Sequence, residues 1–255
     1  MNIIEKLNEA YIKQGAQEAK DAEGWFPRAS GIGGCLREMA HKAAGFEQRP
    51  NSPETMRVFE LGHQRGAKLA EVAKSVWPDA EAELEVRIEL PDYPVPMLGH
   101  LDVWIPSERT IIDFKTAGAF KMGLLNEGGK EGAGEDYELQ LQAYRHGVFW
   151  GQMSGGILSS IRCLLIFEAK DSDARKGVEA GQLAEVEVPY TEELEARYRA
   201  RLEALVSILK ARDAKTLEPT SVQGMPDPSK HWRCRMKGGV SRYCSIGPIL
   251  GKCSK

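Results

Sequence analysis

The chain has 255 residues, 42% of them hydrophobic and 28% charged, and its formal net charge at pH 7 is −3. This length can bury a substantial core, and the net negative charge excludes a protein that holds nucleic acid through its overall charge. No apolar run approaches the length of a membrane span, and residues 1–6 lack the apolar segment of a signal peptide. The composition therefore predicts a cytoplasmic protein with no membrane partner.

Helical periodicity marks the first third of the chain and ends where an alternating pattern begins. Apolar residues recur at helical spacing in three segments, and a fourth segment alternates apolar with charged residues, as a half-buried strand does. The predicted elements are three helices, over 2–22, 30–45 and 54–77, and then a strand over 84–90.

Two runs rich in β-branched and aromatic residues follow, over 101–105 and 110–114. The residues between them, Pro-Ser-Glu-Arg, have turn chemistry, so the pattern predicts a β-hairpin. Folding the chain about this turn places Asp102 directly opposite Asp113. Because side chains alternate along a strand, Lys115 lies on the same face as both acids.

Two carboxylates that face each other across a strand pair repel, so this arrangement indicates a cation between them. Hard divalent cations prefer oxygen ligands, and Mg²⁺ commonly binds one or two carboxylates together with phosphate oxygens of a substrate. An ammonium beside such a metal can stabilise transition-state charge or help to ionise an attacking water. Asp102, Asp113 and Lys115 therefore predict a site that hydrolyses phosphodiesters. The alternative is a polar surface strand pair whose charges are incidental.

Helices and strands alternate through the rest of the chain. The predicted elements are a helix over 116–125, a loop over 126–134, a helix over 135–149, strands over 160–169 and 184–189, and a helix over 191–212. The glycine-rich loop is either a linker or a flap that closes over a substrate. From Thr216 onward no regular element is predicted. One α/β domain over residues 1–255 is the simplest organisation.

Three short motifs occur in order and in matching contexts. Gly-x-x-Asp at 99–102 and Asp-x-Lys at 113–115 fall on predicted strands, and Gln-x-x-x-Tyr at 140–144 falls on a predicted helix. Together they resemble the RecB-type branch of the PD-(D/E)XK nuclease superfamily. The segment 57–63 resembles the helix before the catalytic sheet in phage and CRISPR-associated members. The resemblance covers the whole chain and implies a restriction-endonuclease-like α/β fold, with a central mixed sheet flanked by helices.

The resemblance assigns roles to the matched residues. It implies Asp102, Asp113 and the backbone carbonyl of Phe114 as ligands of Mg²⁺ or Mn²⁺, Lys115 as the residue that assists water, and Gln140 and Tyr144 as residues that line the site. Many relatives have a metal-binding histidine where this chain has Gly66, and His63 is the nearest imidazole, one turn earlier on the same helix. Either His63 replaces that ligand, or the metal is held by carboxylates and water alone.

The cysteines extend the resemblance to an iron–sulfur subgroup. The segment 28–37 resembles the amino-terminal cysteine segment of that subgroup, and three late cysteines resemble its carboxy-terminal trio. The implied ligands of a [4Fe–4S] cluster are Cys35, Cys234, Cys244 and Cys253. Such a cluster would join regions 25–45 and 230–255 and act structurally. A Cys₄ zinc site and unrelated free thiols are the alternatives.

The fifth cysteine and the total number of cysteines support two further predictions. Five cysteines in a cytoplasmic chain do not indicate a disulfide framework. Cys163 lies inside the apolar run 161–167 and is predicted to be a buried thiol.

The function that follows is a metal-dependent DNA nuclease, acting as an exonuclease on single-stranded DNA or on DNA ends. The resemblance suggests a recombination setting in a bacterial or phage-infected cytoplasm. No Gly-x-x-x-x-Gly-Lys-Ser/Thr motif is present, so unwinding would need a helicase partner. The alternatives are a non-catalytic module that binds DNA ends and a restriction-type endonuclease. The predicted DNA contacts combine basic and aromatic residues: Trp232, Arg235, Arg242 and Tyr243.

Overall fold

The computed structural model describes residues 2–21, 25–46, 50–126, 134–153, 155–222, 236–237 and 240–241. Its helices are α1 (Ile3–Asp21), α2 (Leu36–Ala43), α3 (Pro53–Val76), α4 (Ala119–Asn126), α5 (Glu135–Gln152) and α6 (Glu192–Asp213). Its strands are β1 (Glu81–Ile88), β2 (Met97–Ile105), β3 (Thr110–Ala117), β4 (Arg162–Ala169), β5 (Leu183–Glu187), β6 (Met236–Lys237) and β7 (Val240–Ser241). Within the described ranges, no helix is both long and apolar enough to cross a membrane.

The chain divides into two compact units. The sheet unit consists of Arg28–Gly33 and Glu60–Leu202, and the terminal unit consists of Met1–Pro27, Gly34–Phe59 and Glu203–Lys255. Hydrogen bonds inside the terminal unit link early and late parts of the chain. The Arg37 guanidinium donates to the Val222 carbonyl at 2.9 Å, and the Arg212 guanidinium donates to the Trp25 carbonyl at 3.2 Å.

Five strands form one mixed sheet in the order β1-β2-β3-β4-β5. β3 and β4 run parallel, and the other neighbouring strands are antiparallel. A parallel pair needs a long crossover connection, and here α4 and α5 lie in the chain between β3 and β4. The predicted α/β class, a mixed sheet flanked by helices, is confirmed.

The hairpin of β2 and β3 has the predicted register. Its pairs are Val103 with Ile112, Trp104 with Ile111, and Ile105 with Thr110. A short 3₁₀ turn over Pro106–Glu108 and a left-handed residue, Arg109 with φ 49°, reverse the chain. The next pair in this register is Asp102 with Asp113, but the ladder stops before it. The two strands therefore separate at the two acids.

One face of the sheet packs against α3 through an apolar core. Alternate residues of a strand point to the same face, and those on this face are hydrocarbon side chains. The buried members of the core are Ala70, Ala73, Ala80, Val103, Ile105, Ile112 and Leu164, and Trp77, Ala82, Phe114 and Ile166 pack against them. We call this side of β2 and β3 the α3 face.

We call the opposite side of the β2–β3 hairpin, which faces helix α5, the α5 face. Nearer the start of β2, helix α5 comes close to the strands at glycine positions. A Cβ at Gly99 of β2 would lie 2.7 Å from both Ala29 and the Tyr144 ring. A Cβ at Gly147 of α5 would lie 2.7 Å from Val86 of β1. A side chain at either glycine would force the helix away from the strands.

Several elements differ from the prediction at their ends. β2 begins at Met97, earlier than the predicted run, because the glycine and histidine near its start interrupt the apolar pattern. β1 also begins earlier, at Glu81. The expectation of no regular element after Thr216 is wrong for β6 and β7, which form a short antiparallel pair.

Candidate active site

Asp102 and Asp113 lie at the fork where β2 and β3 separate. Beyond the last strand pair, the Asp102 carboxylate replaces the missing ladder contact: its Oδ2 accepts a hydrogen bond from the Phe114 N–H at 2.5 Å. Asp113 lies on β3, the middle strand of the sheet, and is 1% exposed. The structure therefore brings Asp102 and Asp113 together, and Asp102 is hydrogen-bonded to the backbone of the residue that follows Asp113.

The ammonium of Lys115 contacts the Asp113 carboxylate. Nζ lies 2.5 Å from Oδ2, and the two side chains are 22% and 2% exposed. Both residues point to the α5 face because they are two positions apart on one strand. The lysine predicted to assist catalysis thus lies directly beside the buried acid.

Gln140 and Tyr144 lie one turn apart on α5 and hold the acid pair in place. The Gln140 amide donates to Asp113 Oδ1 at 3.1 Å and to the Tyr144 hydroxyl oxygen at 3.0 Å. The hydroxyl in turn donates to the His100 carbonyl of β2 at 2.8 Å. The helix is therefore tied to both strands of the fork.

The site holds two acids beside one lysine, and burial shifts the pKa of all three groups. Burial raises the pKa of Asp102 to about 7, and the Asp113 charge adds to this rise, whereas the Phe114 N–H and the Lys115 ammonium oppose it. Burial also raises the pKa of Asp113, against the lowering effect of Lys115. Burial lowers the pKa of Lys115, but the two carboxylates outweigh it and the net shift is upward. Two acids share one lysine, so a further cation would relieve their repulsion.

The acid pair fits a hard divalent cation that completes its shell with water and phosphate oxygens. Mg²⁺ commonly uses one or two protein carboxylates in this way, and Asp102 and Asp113 supply two. The Phe114 carbonyl, a ligand implied by the family resemblance, belongs to the residue between Asp113 and Lys115. Among the residues that the structure describes, no group of three or more His, Cys, Asp and Glu side chains is placed to hold a metal. These residues do not provide an all-protein metal cage.

His63 lies exposed on α3. It does not join the two aspartates in a metal-binding group within the described part of the chain. At Gly66, the position where the family resemblance implies a histidine, an added Cβ would lie 4.0 Å from the Phe114 Cβ. The choice between His63 as a metal ligand and a metal held by carboxylates and water alone therefore stays a prediction.

Three residues near the acids are not singled out by the sequence motifs. Tyr137 lies on α5 one turn before the glutamine of the site, and its ring centre is 5.4 Å from Lys115 Nζ. This helical spacing is the signal that could have identified it. Lys121 of α4 lies 5.0 Å from the same ring centre. Glu83 of β1 adopts a left-handed φ of 52° and its charge helps to raise the pKa of Asp102.

Most of the other predicted residues lie outside the described part of the chain: Cys234, Cys244, Cys253, Trp232, Arg235, Arg242 and Tyr243. Cys35 is described: it directly precedes α2, is buried, and forms no disulfide. Cys163 is buried, as predicted, and its thiol donates to the Leu141 carbonyl at 3.8 Å. Burial raises the pKa of the Cys163 thiol to about 11.

The sequence matches no protein-family model and no curated protein. Among solved structures, the chain is similar to a phage-related exonuclease from Haemophilus somnus, with 18% identity, 71% of this chain and 81% of that chain covered, and a TM-score of 0.47. It is also similar to an alkaline exonuclease from Laribacter hongkongensis, with 14% identity, 82% and 100% covered, and a TM-score of 0.45. At identities this low the similarity does not establish the activity of the chain, which has to be argued from its own residues.

Proposed function

We propose that this chain is a divalent-metal-dependent DNA nuclease that hydrolyses phosphodiester bonds in single-stranded DNA or at DNA ends. The observation that carries the proposal is the group of buried Asp113 with half-buried Asp102 and Lys115, held by Gln140 and Tyr144 at the fork of β2 and β3. One acid would suffice for a structural ion pair with the lysine. A second acid next to the buried one is unfavourable unless a cation compensates it. Binding of a dication together with a substrate phosphate would explain why Asp102 is there.

Each residue of this group has its own role in the proposed reaction. Asp102 and Asp113 would hold Mg²⁺ or Mn²⁺, and such a cation supplies charge stabilisation and a more acidic water. Lys115 holds a positive charge beside Asp113, where it can stabilise a developing negative charge on a phosphate. Gln140 and Tyr144 keep the acid pair oriented through the hydrogen bonds described above.

The test is cleavage of end-labelled single-stranded DNA by the purified chain with Mg²⁺, with Mn²⁺ and with EDTA. We expect cleavage with either metal and none with EDTA. Lys115→Ala should slow cleavage by about 10²–10³-fold, whereas Lys74→Met, which removes an exposed lysine of α3, should leave the rate unchanged. Cleavage that persists in EDTA, or a Lys115→Ala variant as fast as the wild type, would contradict the proposal.

A comparison of closed circular with linear single-stranded DNA defines the mode of cleavage. An exonuclease needs an end, so we expect the linear strand to be degraded and the circle to remain intact. Cleavage of the circle would identify an endonuclease of the restriction type. Binding of linear DNA without cleavage of either substrate would identify a non-catalytic module that recognises ends.

We further infer from the sequence that Cys35, Cys234, Cys244 and Cys253 bind a structural [4Fe–4S] cluster, with Zn²⁺ as the alternative. Support comes from the terminal unit, where a residue just after Cys35 is hydrogen-bonded to Val222, not far before the cysteine trio in the chain. Iron and sulfide analysis after anaerobic purification, with a visible spectrum, tests this. We expect about four irons per chain and a brown protein. One zinc per chain in a colourless protein, or no metal, would overturn the iron assignment.

A further inference from the structure

A third acid, Glu83, extends the acid pair onto the next strand of the sheet. The strand pairs on either side of it are Ala82 with Val103 and Leu84 with Leu101. Glu83 therefore occupies the position opposite Asp102 on one side of β2, as Asp113 does on the other side. The three acids form one row across β1, β2 and β3. Along this row Glu83 is exposed, Asp102 is half-buried and Asp113 is buried.

The backbone of Glu83 has a conformation that glutamate seldom adopts. Its φ of 52° lies in the left-handed region, where the Cβ of an L-residue crowds the following carbonyl oxygen. Glycine adopts this conformation without that penalty. Residues on both sides of Glu83 are paired with β2, whereas Glu83 itself is not paired with Asp102. The chain thus holds a glutamate where glycine would be more favourable, and such strain is concentrated at functional positions.

The charge of Glu83 reaches two groups of the candidate site. Burial and the Asp113 charge are the main causes of the raised pKa of Asp102, and the Glu83 charge adds a smaller rise. The pKa of the Tyr144 hydroxyl is also raised, mainly by burial, and Glu83 again adds to the rise. The carboxylate therefore acts on the acid pair and on the tyrosine that joins α5 to β2.

A divalent cation reverses the sign of this effect. In the metal-free protein a third carboxylate adds to the repulsion between the acids, whereas it attracts a dication held by the other two. We propose that Glu83 is a positioning residue whose charge raises the affinity of Asp102 and Asp113 for Mg²⁺ or Mn²⁺. The proposal rests on the nuclease function proposed above. It explains why an exposed position in β1 keeps an acidic side chain on an unfavourable backbone.

Binding of Mn²⁺ to the full chain without DNA, measured by electron paramagnetic resonance, gives the first test. Glu83→Gln removes the charge with little change in shape and should weaken binding about tenfold. Glu83→Asp keeps the charge and should stay within about threefold of the wild type. The matched control is Glu89→Gln, an exposed position just beyond the end of β1. It lies roughly 20 Å along the chain from Glu83 and should bind Mn²⁺ as the wild type does.

Relief of the backbone strain gives the second test. Glu83→Gly removes both the carboxylate and the crowded Cβ. Its urea midpoint in EDTA should therefore be higher than that of the wild type and that of Glu83→Gln. Its affinity for Mn²⁺ should be as weak as that of Glu83→Gln. A purely structural role for Glu83 gives the reverse result, with lower stability and unchanged Mn²⁺ binding.

The two proposals fail in different ways. An unchanged Mn²⁺ affinity in Glu83→Gln, or an equal loss in Glu89→Gln, would overturn the role of Glu83. The nuclease function would then stand if Asp113→Asn still weakened Mn²⁺ binding and the wild type still cleaved end-labelled single-stranded DNA. A wild-type protein that neither binds Mn²⁺ nor cleaves this DNA would overturn the proposed function itself.

Discussion

The two faces of β2 and β3 differ in the side chains they present, since one forms an apolar core and the other holds the candidate site. On the α3 face, residues such as Ile105 and Ile112 form an apolar core. On the α5 face, Asp113 is buried as deeply as those residues but carries a carboxyl group and lies beside a second acid. Adjacent residues of β3 therefore face different surroundings. Phe114 packs against the core, whereas Asp113 and Lys115 on either side of it belong to the candidate site.

This contrast shows how one strand can support an unfavourable site. Burial of hydrocarbon stabilises a fold by roughly 25 cal/mol for each Å² removed from water. Burial of two like charges does the opposite unless a cation compensates them. The α3 face therefore stabilises the strands that position the acids, and the α5 face holds the residues of the proposed site. Substitutions on the two faces should have separable effects.

The largest effect should come from Asp113→Asn on the α5 face. The change keeps the shape of the side chain but removes the carboxylate beside Lys115, which is one of the two acids of the proposed metal site. We expect cleavage of end-labelled single-stranded DNA with Mg²⁺ to fall by about 10³-fold. Circular dichroism should show an unchanged fold. A variant within tenfold of the wild-type rate would show that Asp113 is not catalytic.

On the α3 face, Ile105→Ala should act on stability alone. Ile105 is fully buried in the core, and its truncation leaves a cavity. We expect the free energy of unfolding, measured in urea, to fall by about 3 kcal/mol. The cleavage rate of the protein that remains folded should stay within twofold of the wild type. A folded but inactive variant would remove the proposed separation of the two faces.

Asp102→Asn should stabilise the metal-free protein, in a way that depends on pH. The pKa of Asp102 is raised from 3.8 to about 7 in the folded state, so the folded chain binds more protons than the unfolded chain between these values. Wild-type stability should therefore fall as pH rises from about 4 to about 7. Asparagine removes this loss, and we expect the variant to be more stable by on the order of 2 kcal/mol at pH 8.

The measurement for Asp102→Asn is urea unfolding in EDTA at pH 4.5 and pH 8. The advantage of the variant should shrink at the lower pH, where the wild-type carboxyl is protonated when folded. Added Mg²⁺ should stabilise the wild type more than the variant, because it binds the folded acid pair. A variant less stable than the wild type at pH 8 would mean that the acids are compensated within the protein.

The smallest effect should come from Tyr144→Phe. The substitution removes a hydroxyl that donates to the His100 carbonyl and accepts from Gln140. We expect a loss of about 1 kcal/mol in unfolding free energy and a decrease in cleavage rate of less than about tenfold. If this variant were as inactive as Asp113→Asn, the hydroxyl would have to act on the substrate directly.

The sequence was sufficient for the register of the hairpin and for the members of the acid pair. Turn residues between two runs of strand formers place Asp102 opposite Asp113, and alternation puts Lys115 on their side. Both inferences need only local rules. The early start of β2 at Met97 escapes those rules because Gly99 is there for contact with a helix, and strand propensity does not report such contacts.

The parts of the site that depend on packing could not be predicted. The separation of the strands is completed by a side-chain hydrogen bond from Phe114 N–H to Asp102, which no pattern of residue types specifies. The left-handed backbone conformation of Glu83 could not be predicted from the sequence either, since glutamate seldom adopts it. The aromatic support of Lys121 requires α4, α5 and β4 to be brought together, and only the tertiary fold does so.

The close approach of Gly99 to Tyr144 limits how this protein can change over evolution. A methyl group at position 99 would collide with the Tyr144 ring and with Ala29. An alanine at this position therefore requires both neighbouring side chains to move or to be replaced by smaller ones. Natural variants should therefore alter positions 29, 99 and 144 as a linked set. An alignment of homologous sequences in which these three positions vary independently would mean that helix α5 can shift on the sheet.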